Sequence, residues 1–330
     1  MKTDQQKTPE KRYKSTGADE GRIKPGKISR AVPVLGLLLL LGGAAVFLYP
    51  AVSNYLAEKN HTRVIQTYQE AVGGLSDEEL SEEWAKAEEY NENLAGDPVH
   101  DPFIPGSGYA LPDNYLDVLN VDGVMGYIEI PKIDVSLPVY HGTAEETLEK
   151  GVGHMESTTL PIGGTDRHAV LTGHRGLPSA ELFTNLDLLE IGDHFYINVL
   201  GETLAYEVDS IEVVEPDELG LLTVEPGRDL VTLITCTPYG VNTHRLLVRG
   251  ARTEYVPEEA DREASAPDVR RNSILYAAAG VFAGLLLLGL ALLFFFIWKK
   301  RKRKGGEEQK PDKKEQRRKR RIRRRKGARR

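Results

Sequence analysis

The sequence predicts a mostly β domain, a sandwich or barrel of about eight short strands, preceded by helices and bracketed by two membrane spans. Three observations predict it. From Val121 to about Arg252, short apolar runs recur with turn residues between them. Ahead of them, apolar residues recur at helical spacing in an acidic segment. Two uncharged runs, Ala31–Tyr49 and Ser273–Trp298, enclose both regions.

Charge sorts the chain in the same way. The net charge of −6 is the sum of unlike parts. Residues 1–50 carry 9 Lys and Arg against 4 Asp and Glu, and residues 299–330 carry 20 against 4. The stretch between them carries 14 against 41. An acidic centre excludes a nucleic-acid-binding core, despite the basic tail.

Residues 1–30 read as a basic cytoplasmic tail without apolar periodicity. Ala31–Tyr49 has 19 residues, roughly 28 Å as a helix, which matches a bilayer core. An uncleaved signal anchor is favoured over a cleavable signal peptide, although Gly42-Gly43-Ala44-Ala45 supplies small residues of the kind a peptidase accepts. Residues 50–120 form a helical region. Tyr55, Leu56, Val64, Ile65, Tyr68 and Val72 share one face, and Gly73-Gly74 interrupts it. Ser76-Asp77-Glu78-Glu79 then has the form of a capping box opening a second helix. Residues 97–108, with three prolines, read as a stiffened loop.

The β-rich domain covers residues 121–252. Strands are expected at 126–131, 133–140, 168–172, 194–199, 204–208 and 210–214, followed by a terminal hairpin. Short helices are expected at Ala144–Lys150 and Ser179–Leu188. Residues 253–272 read as a polar linker and 299–330 as a second basic tail. Lys and Arg beside each span place both termini in the cytoplasm and residues 50–272 outside. The Arg-rich tail could bind anionic membrane lipid, but a solvated topology anchor is the simpler reading.

The terminal hairpin holds the chain's one cysteine. An apolar run, Val231-Thr232-Leu233-Ile234-Thr235, leads to Cys236. Thr237-Pro238-Tyr239-Gly240-Val241-Asn242 turns the chain, and a second run leads away from Arg245. Cross-strand neighbours lie about 5 Å apart, so the thiol and the guanidinium can face one site. A buried structural cysteine is the plain alternative. A lone thiol in an exported domain calls for a reason, and its neighbours point to a nucleophile.

The run Thr232-Leu233-Ile234-Thr235-Cys236, with Arg245 nine residues on, resembles the signature of sortases, the cysteine transpeptidases of Gram-positive surfaces. The stretch to Gly250 resembles the pilus-assembling subgroup, class C. Gly126-Tyr127-Ile128-Glu129-Ile130-Pro131-Lys132-Ile133 is similar to the family's opening strand. Leu171-Thr172-Gly173-His174-Arg175-Gly176-Leu177-Pro178 looks like its catalytic-histidine segment. Asp101-Pro102-Phe103, in the proline loop, looks like the lid motif of pilus sortases.

The resemblance implies an eight-stranded barrel with Cys236 as nucleophile, His174 as general acid and base, and Arg245 as substrate or oxyanion stabiliser. It implies that Asp101 lies against Arg245 and Phe103 over Cys236. It also implies a donor with a Leu-Pro-X-Thr-Gly (LPXTG-like) sorting signal and a Lys amine acceptor on another pilin subunit. Of the remaining histidines, His154 lies in a family-like segment that supplies no catalytic imidazole. His244 should point away from the site by strand alternation, and Thr235, on the opposite face, should pack or hydrogen-bond. A housekeeping sortase, a membrane-bound cysteine hydrolase and a non-enzymatic scaffold are the rival readings. The sequence shows no metal-ligand spacing and no phosphate-binding glycine loop, so no cofactor and no metal are expected.

Overall fold

The computed structural model describes residues 31–94, 103, 114–258 and 260, with further helical residues scattered through 279–298 and 317–321. The basic tails, most of the loop 97–108 (with Asp101 and Pro102) and most of the linker lie outside the described residues. The chain divides into two compact units between Gly43 and Ala44.

The β-branched run that ends beside the cysteine forms β7 (Asp229–Thr237), buried at every position from Leu230 to Cys236. A strand buried on both faces needs partners on both edges and cover on both sides. On its edges, β7 pairs antiparallel with β8 (His244–Thr253) and parallel with β4 (Arg167–Thr172). The sheet continues through β1 (Gly126–Ile130), β2 (Val135–His141), β3 (Val152–His154), β5 (His194–Val199) and β6 (Glu202–Val214). It closes as a barrel in the order β1-β2-β3-β4-β7-β8-β6-β5.

Alternation along the strands sends one set of side chains inward. Ile128, Val139, Leu171, Phe195, Ile197, Tyr206, Val231, Leu233 and Val248 belong to the main core. The opposite face of β4, β7 and β8 contributes Val170, Ile234 and Leu247 to a second cluster with Met155 and Leu222. Phe103 and Val214 pack against that outer cluster.

Helix α1 (Ala31–Gly73) passes through Pro50 without ending. From Leu38 on, it is long and apolar enough to cross a membrane. Its later turns dock on the barrel: the Tyr68 hydroxyl donates to Met125 O at 3.2 Å and accepts from Leu200 N at 2.9 Å. Burial pushes that phenol up to about 12. Helix α2 (Asp77–Asn93) opens with the expected capping box, and its Ala87 and Tyr90 join the main core. Near the C-terminus, the described apolar helix Phe282–Ala291 is shorter than a membrane span, so the second span remains an expectation.

Three expectations change. β3 was not expected: it has three residues, with Gly153 at its centre, and shows no periodicity to read. The two strands expected at 204–208 and 210–214 are one, β6, whose register shifts between Val208 and Ser210. The residue between them, Asp209, breaks the alternation, and its carboxylate binds Arg228 and Arg249. The helix expected at Ser179–Leu188 is only a 3-10 turn at Leu186–Leu188. Leu182 adopts φ 44°, a left-handed conformation that a right-handed helix cannot contain. The short helix expected at Ala144–Lys150 is present as α3 (Glu145–Leu148).

Candidate active site

Cys236 and Arg245 are direct cross-strand partners in the β7–β8 register. Both side chains are largely buried, at 7% and 5% exposure. Arg245 Nη1 donates to the carbonyls of Asn242 (3.2 Å) and His244 (3.1 Å), which holds the guanidinium at the mouth of the hairpin loop. His244 faces elsewhere, with Nε2 3.1 Å from Glu215.

His174 reaches the same level from the other edge of β7. Thr172 is the register partner of Ile234. Past the end of β4, Gly173 N donates to Ile234 O at 3.1 Å. The Thr235 hydroxyl donates to Gly173 O at 2.7 Å, so Thr235 binds backbone, as its strand face implied. Gly173 is required here, because a Cβ would sit 2.7 Å from the Phe183 ring. One residue further, Arg175 Nη1 donates to the Thr237 hydroxyl at 3.1 Å. Gly173–Thr235 and Arg175–Thr237 thus lie on one face of the ladder, and alternation puts His174 and Cys236 together on the other.

His174 is 15% exposed, and its Nε2 lies 3.4 Å from Glu145 Oε1 on α3. The Phe103 ring lies near both His174 and Arg245. Its centroid is 5.7 Å from the His174 ring and 5.0 Å from Arg245 Cζ, within cation–π range. Phe103 therefore packs beside the candidate site, while Asp101 and Pro102 lie outside the described residues.

The other histidines have structural surroundings. Half-buried His141 and buried His154 and His168 each direct a ring nitrogen at a backbone carbonyl, of Val118, Thr159 and Thr223 respectively, at 2.8–2.9 Å. Burial lowers all three below the usual imidazole range, His154 to about 4. His194 stacks on Tyr196, and His100 lies outside the described residues. Among the described residues, no group of three or more His, Cys, Asp or Glu could hold a metal ion.

Sequence reasoning missed Glu145 and the partners of Arg175. Glu145 was only a residue of a short expected helix, and nothing local linked it to a histidine 29 positions away. Arg175 was read as part of a motif. Its Nη2 pairs with Asp187 at 2.6 Å, and its side chain is 7% exposed.

Residues 128–253 match the family model described as "Sortase domain". Sortase A of Staphylococcus aureus is 30% identical over 218 residues, 65% of this chain and 90% of that protein. Among solved structures, sortase C-1 from Actinomyces oris is 53% identical, covering 53% of this chain and 99% of that one, with a TM-score of 0.51. A pilus-related sortase C of Group B Streptococcus is 46% identical, covering 58% and 97%, with a TM-score of 0.55.

Proposed function

The chain belongs to the sortase family of cysteine transpeptidases, and on that premise we propose that it is a pilus-assembling enzyme of class C type. Its neighbours in structure are class C pilus sortases, and sortases act on LPXTG-type surface proteins and pilins. The observation that carries the reading is the convergence of β4, β7 and β8, which brings His174, Cys236 and Arg245 to one end of the barrel.

In this reading, the Cys236 thiolate attacks the Thr carbonyl of a Leu-Pro-X-Thr-Gly-like signal. Arg245 hydrogen-bonds the substrate carbonyl or the developing oxyanion, where a fixed donor acts most strongly. His174, as imidazolium, protonates the departing Gly amine and leaves a thioester on Cys236. The neutral imidazole then takes a proton from the incoming Lys amine of a second pilin subunit. The nitrogen displaces the sulfur, an isopeptide bond forms, and the thiolate–imidazolium pair is restored.

The lid masks this site. Phe103 shields His174 and Arg245, and Asp101 pairs with Arg245 until substrate displaces the loop. The apolar span in α1 anchors the enzyme in a Gram-positive membrane, with the barrel outside and both termini in the cytoplasm. Residues 273–298 form the second span.

The test incubates the full chain, in detergent, with a Leu-Pro-X-Thr-Gly peptide and an amine, and follows products by mass spectrometry. The expected result is a Cys236 adduct of the peptide up to Thr that discharges onto the amine and is absent in Cys236→Ala. Free acid with no amine adduct would replace this reading with a hydrolase. Phe103→Ala should speed alkylation of Cys236, and an unchanged rate would remove the masking role.

A further inference from the structure

The site has two electrostatic ends. The Phe103 ring neighbours both groups: its centroid is 5.0 Å from Arg245 Cζ and 5.7 Å from the centroid of the His174 ring. Beyond His174 comes a carboxylate: Glu145 Oε1 lies 3.4 Å from its Nε2. The other cation nearby, Arg175, is occupied by Asp187 and Thr237 on the reverse face of the ladder. Glu145 is thus the carboxylate within ion-pair distance of His174 among the described residues.

Glu145 has no evident task in folding. Its side chain is 72% exposed, and its part in the α3 turn is made by its backbone carbonyl, which accepts from Glu149 N. His174 Nε2 itself is buried and makes no hydrogen bond among the described residues, so the exposed carboxylate 3.4 Å from it is what an approaching group meets first. In the second half-reaction the approaching group is a primary amine, which is an ammonium near neutral pH.

Resting on the sortase reading above, we infer that Glu145 is the acceptor-side specificity residue, drawing a lysine-like ammonium to the His174 face of the thioester. The ammonium loses one proton to water, and the free amine attacks the thioester carbonyl. His174 takes the second proton as the C–S bond breaks, and Cys236 leaves as thiolate. The carboxylate attracts the cation but also favours its charged form. Its benefit is therefore to acceptor binding, with none to the chemical step, which is the signature of uniform binding. A rim charge acts mainly on encounter and on salt dependence, so the effect is modest and salt-sensitive.

The experiment compares wild type with Glu145→Gln in the full chain, using a Leu-Pro-X-Thr-Gly donor. One acceptor is Nα-acetyl-lysine amide, which is cationic; the other is hydroxylamine, which is neutral at the assay pH. The expected result is a rise of about five- to tenfold in KM for the lysine acceptor, with kcat held. Raising the salt should shrink that difference, and hydroxylamine turnover should be unchanged. Equal losses with both acceptors, together with slower thioester formation, would overturn the proposal and make Glu145 an orienting partner of His174. No change with either acceptor would overturn it as well. Wild type that forms no amine product with either acceptor would be a failure of the transpeptidase reading itself, distinguishable because it precedes any comparison of variants.

Discussion

His154 and His174 end or follow adjacent barrel strands, and they show what a fold does with one side chain. His154 is fully buried, with the Tyr115 ring 5.8 Å away between centroids. Its Nε2–H donates to Thr159 O at 2.9 Å, so its Nδ1 accepts from the Tyr115 hydroxyl at 2.8 Å. Both nitrogens are committed, and burial lowers its pKa to about 4. His174 sits just past a strand end, with the Glu145 carboxylate and the Phe103 ring as neighbours. The first ring is a fixed neutral part of the core, and the second lies at the strand-end site with Cys236 and Arg245 on the neighbouring hairpin.

The sharpest way to break this contrast is to remove each ring. His174→Ala should lower transpeptidation by about 10²–10⁴-fold, the range for loss of a general acid–base group, with little change in Tm. His154→Ala should do the reverse, unfolding at lower temperature while keeping its turnover at temperatures where it is folded. Equal losses of activity in both variants, each still folded, would erase the distinction.

Acid separates them next. His154 has a lower pKa folded, about 4, than its ordinary 6.5. Between those values the unfolded chain binds more protons, so stability falls as pH drops from about 6.5 to about 4 and then levels off. At about 1.4 kcal/mol per pKa unit, the loss is about 3–4 kcal/mol. His61, His141 and His168 are lowered in the same direction by burial, so the wild-type slope is steeper than His154 alone would give. Denaturant titrations of wild type and His154→Gln across this window should differ in slope, with the variant flatter. Parallel slopes would mean that His154 is not the acid-sensitive group.

The parts of the site that were legible in sequence are those whose signal is contiguous. Cys236 and Arg245 lie on one hairpin, so composition and turn chemistry placed them face to face. Phe103 stood out as the aromatic of the short Asp101-Pro102-Phe103 run. The eight-stranded barrel was legible through the family resemblance and not from the strand pattern alone, because the β1–β5 and β2–β3 pairings join segments with no local mark of each other. The Asp209 bulge made one strand read as two. Glu145 and Asp187 became site residues only when α3 and the turn after β4 were folded against His174 and Arg175, and no periodicity encodes that.

Arg175 carries the smallest expected effect and tests how firmly the catalytic face is held. It follows His174, bonds to the residue after Cys236 and pairs with Asp187. It therefore fastens the reverse face of the segment that bears the imidazole. Arg175→Met keeps much of the aliphatic stem and its packing but removes both fastenings, and Asp187 is exposed enough (44%) to be hydrated when left behind. If Arg175 is a positioning residue, kcat should fall about tenfold, the scale of a small misplacement of reacting groups, with the donor KM nearly unchanged. Arg175→Lys, which can still reach one partner, should recover part of the loss. A variant that loses only Tm, and turns over at the wild-type rate well below it, would make Arg175 a staple of the fold and leave the alignment of His174 with Cys236 to Gly173 and Thr235.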